Sequence, residues 1–365
     1  FASLMKAPAA QYAVMSAINF AKGFAFMKTV TFGEIMLRLQ PPSYKRILQT
    51  GSYEATYGGG EANVAVSLAQ FGDDARFVTV LPANPVADAC KNELRRWGVD
   101  ISRIVTGDGR MGIYFCEKGA SQRPSVVVYD RRYSAISLAK PGDIDWDGVF
   151  ENADWFHFTG ITPALGDSVF ELCLEAVKKA KEKGITVSCD LNYRKKLWSR
   201  EKAGKCMDEL CGYVDVLIAN EEDFSDVFGI REDGSDISGG KLSAEGYAAV
   251  ADKAVKRFGC RYVAITLRES VSASVNHWAG MLYDGSKAYF STKYTMNIVD
   301  RVGGGDSFGA GLIYSLKNGK APQDAIDFAV AASCLKHSVE GDFNVASVAE
   351  VESLVKNGGN GRVQR

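Results

Sequence analysis

The chain has 365 residues, 46% hydrophobic and 24% charged, the balance of a globular protein with a sizeable core. Its 43 basic and 44 acidic side chains leave a net charge of −1, so no basic field argues for nucleic acid, and no apolar run is long enough to span a bilayer. The eight cysteines form no C-x-x-C pair and the three histidines lie far apart, which argues against zinc and for a reduced, cytoplasmic protein.

Residues 1–26 lack caps, periodicity and a cleavage site. Met27-Lys28 is the more natural start, so the segment is set aside as an extension of unassigned role. One domain is expected over 27–357, with a flexible tail over 358–365. Residues 29–39 read as a strand ended by Pro41-Pro42. A second extended piece over 52–57 leads into Gly58-Gly59-Gly60-Glu61-Ala62-Asn63. A helix follows with Val64, Leu68 and Phe71 in register, closed by Gly72. Residues 76–81 read as a strand and 85–97 as a helix. Gly107, Gly109 and Gly112 spell a G-x-G-x-x-G, but strand-like alternation follows rather than a helix, so a dinucleotide fingerprint is rejected.

Residues 112–117 and 125–130 alternate like two antiparallel strands. Tyr114 on the first strand, and Tyr129 with Arg131 sharing a face on the second, would suit the hydroxyl and carboxylate groups of a small ligand. A solvated sheet face is the plainer reading of that pattern. From residue 154 a strand–helix alternation sets in. Strands fit 155–159, 186–191, 214–219 and 262–267; helices fit 168–183, 221–228, 244–258 and 322–339. Such a series implies a mostly parallel sheet covered on both faces, with ligands beyond the carboxyl ends of its strands. Asp190, Asn192 and Arg194 fall on one side by period 2 at one strand end. Asn220 follows a second strand, and Thr266 and Arg268 a third. Residues 233–240 read as a surface loop.

The stretch from Asp300 to Gly311 carries the most chemistry. Gly303, Gly304 and Gly305 run into Asp306 and then into an apolar-periodic helix through Phe308, Leu312 and Leu316. Bare main-chain amides at a helix start suit phosphate. An acid there is a poor phosphate ligand and a good acceptor for the proton of an attacking hydroxyl. Asp306 as a simple helix N-cap is the competing reading, and the stretch alone does not separate the two.

With these residues in hand, the chain resembles the ribokinase-like (PfkB) carbohydrate kinases. The 300–311 run resembles their C-terminal signature, and Gly58–Asn63 with its helix their N-terminal sugar-binding signature. Gly160 to Leu165, Asp190 to Arg194 with Leu197-Trp198, Tyr129 with Arg131, and Gly341-Asp342 resemble the branch that phosphorylates 2-dehydro-3-deoxy-D-gluconate. The resemblance implies an α/β, ribokinase-like three-layer fold with a small β-sheet lid whose strands lie within 37–57 and 110–134. It implies Asp306 as general base, the Gly303–Gly305 amides as anion hole, and ATP with Mg2+ over the strand ends. Gly59, Gly60, Asn63, Tyr114, Tyr129, Arg131, Arg194 and Asp342 would hold the sugar acid. Asn192, Asn220, Thr266, Arg268, Gly303 and Gly305 would hold the nucleotide, with Glu222 or Asp223 on the metal side through water. A homo-oligomer, a dimer through the lid or larger, is also implied. Arg301 and Gly304 stand where the common signature has Thr and Ala, and Asp223 stands where N-x-x-E has Glu. A neutral-sugar kinase and a non-catalytic sugar or nucleotide binder on the same fold are the alternatives.

Overall fold

The structure, a computed structural model, describes residues 27–231 and 243–358. The expected extension over 1–26, the loop over 233–240 and nearly all of the tail lie outside the described residues. No helix among the described residues is long and apolar enough to cross a membrane.

In chain order the strands are β1 (Lys28–Phe32), β2 (Met36–Gln40), β3 (Glu54–Gly58), β4 (Ala75–Val78), β5 (Val80–Leu81), β6 (Val105–Thr106), β7 (Gly112–Glu117) and β8 (Val126–Asp130). Then come β9 (Ala153–Thr159), β10 (Thr186–Asp190), β11 (Val216–Ala219), β12 (Tyr262–Ser270), β13 (Val275–Tyr283), β14 (Ala288–Phe290) and β15 (Tyr294–Asn297). A nine-stranded sheet runs β14-β13-β12-β11-β10-β9-β1-β4, with β15 also on β13. From β4 to β12 every pair is parallel; β13 turns back and makes that edge antiparallel.

Both faces of this sheet are dry. Phe156 and Phe158, Leu217 and Ala219, and Val263 and Ile265 pack into one core with the Asp167–Glu182, Arg200–Cys211 and Ala244–Phe258 helices. Trp155, Val216, Ile218 and Ala264 point the other way. They meet the Gly60–Gln70, Gly304–Lys317 and Pro322–Lys336 helices. Period 2 on a sheet covered twice gives near-continuous apolar runs, which is how these strands read. The result is the three-layer α/β architecture. The lone histidine of β9, His157, is a satisfied core residue, its Nδ1 2.8 Å from Ser188 Oγ.

A second, four-stranded sheet, β3-β2-β7-β8, forms the lid, with β2 parallel to β7 and the other pairs antiparallel. The single strand expected over 29–39 is therefore two, β1 in the main sheet and β2 in the lid. The break falls at Gly33, where a Cβ would lie 2.1 Å from Glu61 Cδ, so no side chain fits. The strand expected over 76–81 also divides, and its second half, β5, pairs with β6. Among the elements not foreseen are the β13–β15 edge and the helices Arg200–Cys211 and Val348–Asn357. Both helices carried readable start signals. Ser199 Oγ accepts from Lys202 N, and Ser347 with Glu350 forms a capping box.

Candidate active site

Glycine chemistry sets the geometry of the 300–311 loop. Gly303 is the N-cap of Gly304–Lys317 at φ 83°, a left-handed conformation, and a Cβ on it would lie 2.0 Å from the Asp342 carbonyl oxygen. A Cβ on Gly304 would lie 2.3 Å from the His337 ring, whereas Gly305 faces open space. Gly303→Ala is expected to lose on the order of 1–3 kcal/mol to the backbone conformation alone, before the clash with Asp342 is counted. Urea unfolding measures it, and a variant as stable as wild type would show that the loop needs no glycine there.

The helix begins two residues earlier than foreseen, so Asp306 is its third residue and not its N-cap. The Gly304 N–H donates to the Arg301 carbonyl at 3.4 Å. The Gly305 and Asp306 N–H groups have no partner among the described residues and point out of the first turn. Asn63 Nδ2 donates to Asp306 Oδ2 at 2.6 Å, and Gly59 N–H donates back to Asn63 Oδ1 at 3.3 Å. Asp306 Oδ1 accepts no hydrogen bond among the described residues; a Cβ on Gly60 would sit 3.5 Å from it. The two glycine-rich stretches, 243 residues apart, thus meet at one carboxylate with one oxygen anchored and one free. Burial pushes the Asp306 carboxyl up to about 6; the Asn63 bond opposes the shift and the Asp342 charge adds to it.

The lid is fastened to this site through a buried charge network. Arg38 on β2 is 0% exposed and donates to Asp342 Oδ1 and to Asp300 Oδ2, each at 2.5 Å, and also to Gln40. Burial alone would lower the Arg38 pKa, but Asp342 and Asp300 outweigh it and the guanidinium stays charged. The Tyr114 hydroxyl donates to Asp342 Oδ2 at 2.6 Å. Tyr114 is therefore not on an exposed strand face as its alternation suggested, but 3% exposed. Both Asp342 oxygens are engaged by the protein itself. Lys336, wholly buried beneath the same loop, donates to the Val339 carbonyl at 3.2 Å; burial lowers its pKa and the nearby Asp300 and Asp342 charges oppose this. Arg38, Asp300 and Lys336 were missed from the sequence.

Tyr129 remains exposed at the lid surface, and the Arg131 guanidinium lies 5.3 Å from its ring centroid. Arg131 is not free: its Nη2 pairs with Glu34, the residue that joins β1 to β2. On the core side, β10 stops at Asp190 and Asn192 turns left-handed at φ 38°, so the expected alternation through Arg194 does not hold. Arg194 is exposed, and its charge opposes the burial-driven rise of the Asp190, Asp223 and Asp306 carboxyls. Burial pushes the Asp223 carboxyl up to about 7, opposed by Arg194. Asn220 caps the Glu221–Phe228 helix, its Oδ1 accepting from Asp223 N at 2.7 Å, and Glu222 is exposed. Thr266 and Arg268 do not end a strand, since β12 continues to Ser270 and pairs them with Gly280 and Trp278 of β13.

This arrangement offers one free carboxylate oxygen and unpaired amides at a helix start. Comparison with known proteins finds sugar-acid kinases among those the chain resembles. The chain is 53% identical to a 2-dehydro-3-deoxygluconokinase of Thermotoga maritima, whose crystal structure superposes with a TM-score of 0.88 over 91% of this chain and 99% of that one. It is 33% identical to a 2-dehydro-3-deoxygalactonokinase of Haloferax volcanii, over 90% of this chain and 96% of the relative. A 2-dehydro-3-deoxygluconokinase of Bacillus subtilis is 27% identical over 87% of this chain and 92% of its own length. The family model for pfkB family carbohydrate kinases matches residues 27–347, nearly everything the structure describes. The chain belongs to the pfkB family of carbohydrate kinases.

Proposed function

We propose that the protein transfers the γ-phosphoryl group of ATP to the terminal hydroxyl of 2-dehydro-3-deoxy-D-gluconate. The observation that carries this reading is the free Asp306 Oδ1, held by Asn63 beside the open amides of Gly305 and Asp306. Oδ1 takes the hydroxyl proton as that oxygen attacks phosphorus, and the amides stabilise charge on the transferred group. A carboxyl raised to about 6 is ionised at neutral pH and still more basic than an ordinary aspartate.

Arg131 and Arg194 would supply the positive charge a sugar acid calls for and a neutral sugar does not. The 53% identity to the Thermotoga 2-dehydro-3-deoxygluconokinase supports the same substrate. Asn192 and Asn220, which follow β10 and β11, would take the nucleotide together with Thr266 and Arg268 inside β12. Mg2+ fits the acidic side of the cleft. Asp223 or Glu222 would contact it through water, and it would neutralise phosphate charge.

A panel of 2-dehydro-3-deoxygluconate, fructose and ribose with ATP and Mg2+ tests the reading. Turnover of the acid alone is expected. Arg131→Ala is expected to raise the KM of the acid by on the order of tenfold or more while the KM of ATP holds. An unchanged KM for the acid would remove Arg131 from carboxylate recognition, and equal turnover of the neutral sugars would refute the acid as substrate.

A further inference from the structure

The Glu34–Arg131 pair at the lid–core seam is incompletely satisfied. Glu34 is 3% exposed and the Arg131 side chain 11%. They meet through Glu34 Oε2 and Arg131 Nη2, but Glu34 Oε1 and Arg131 Nε are each buried without a hydrogen-bond partner. Buried polar atoms are almost always paired, and two orphans on one ion pair need an explanation. Both lie beside the catalytic cleft. A Cβ on Gly59 would meet the Glu34 carbonyl at 1.9 Å, and the Gly59 N–H is tied through Asn63 to Asp306. A Cβ on Gly112 would stand 3.0 Å from Glu34 Oε1, so that oxygen faces a strand position that carries no side chain.

We propose that Glu34 is a specificity-determining residue, its Oε1 accepting a hydrogen bond from the C4 hydroxyl of the sugar acid while Arg131 Nε donates to the substrate carboxylate. This rests on the sugar-acid reading above. The terminal hydroxyl lies at Asp306 and the carboxylate at Arg131. Counting from the carboxylate, carbon 2 is a carbonyl and carbon 3 carries no hydroxyl, so C4 bears the first hydroxyl that Glu34 can meet. C4 is also the carbon at which the gluco and galacto acids differ. An ionised carboxylate accepts and cannot donate, so it takes only an O–H, and an epimer that points this hydroxyl elsewhere leaves Oε1 buried and unpaired.

The test measures kcat/KM for both epimeric acids, with ATP and Mg2+, in wild type, Glu34→Ala and Glu34→Gln. Wild type is expected to prefer one epimer by about tenfold or more. Glu34→Ala is expected to bring the two within about twofold with the KM of ATP unchanged, and Glu34→Gln, which keeps an acceptor oxygen, to restore part of the preference. Equal losses on both acids with the preference intact would mean that Glu34 only orients Arg131, and would overturn the proposal alone. So would a wild type that turns over both epimers equally. A wild type that phosphorylates neither acid would overturn the sugar-acid reading and this proposal with it. If Glu34→Ala does not fold, the Gln variant carries the comparison, and an epimer preference equal to wild type's then counts against the proposal.

Discussion

Asp306→Asn is expected to lower kcat by on the order of 10²–10⁴-fold or more, with binding of the sugar acid largely kept. The substitution is nearly isosteric, and the amide oxygen can still accept from Asn63 Nδ2, so the site keeps its shape and loses only its base. The wild-type pH profile follows from the same group. Its active form is the deprotonated one, so kcat/KM should rise with pH through about 6 and then level off. The effect on stability has the opposite sense. A carboxyl whose folded pKa lies above its ordinary value of 3.8 is harder to ionise when folded, so its contribution to stability is lost as pH rises between 3.8 and about 6. Asp306→Asn should therefore unfold no earlier than wild type at pH 8. A variant retaining more than about a tenth of wild-type kcat would take Asp306 out of the mechanism.

Arg38→Met has the second large effect, and it falls on the fold. The guanidinium is the shared partner of Asp300 and Asp342, which are 2% and 4% exposed. Removing one partner of a buried pair costs on the order of 3–5 kcal/mol because the remaining charge is stranded, and here two are stranded. Against a total stability of about 5–15 kcal/mol that is a large fraction. Lys336 stays nearby and offsets part of the loss. Sugar affinity should fall as well, since Asp342 holds Tyr114 of the lid and its main chain abuts Gly303. Urea unfolding with a sugar titration checks both. A change in stability below about 1 kcal/mol would mean that water or Lys336 already neutralises these acids.

The candidate site was legible as a stretch because its residues are adjacent. Gly303, Gly304, Gly305 and Asp306 run into a helix start, but the stretch left a base and an N-cap equally open, and the structure makes Asp306 the third residue of its helix. The β–α alternation was legible too, because a sheet buried on both faces leaves apolar runs such as Val216–Ala219. What failed was tertiary. In β2 a binary pattern would bury Leu37 and Leu39 and expose Arg38, but the structure buries Met36, Arg38 and Gln40 and leaves the leucines half-buried. The inward face of the lid mixes the Arg38 network with a small apolar cluster of Met36, Tyr114 and Cys116, so binary patterning does not report it. Arg38 finds its partners at 300 and 342, a separation that no periodicity reports. Period 2 was also carried too far past Asp190, where the left-handed Asn192 ends the strand geometry. Glu34 had a faint signal, a charge after a glycine inside an otherwise apolar strand, which marks a break and a close approach.

The most direct test is the position of the phosphate. Phosphorus and carbon NMR of the product from wild-type protein, ATP, Mg2+ and 2-dehydro-3-deoxygluconate should show one monoester, on the terminal carbon, and almost none when Asp306→Asn is used at equal concentration. An ester on any other carbon, or the same product formed at the same rate by the variant, would contradict a hydroxyl held between Asp306 and the glycine loop.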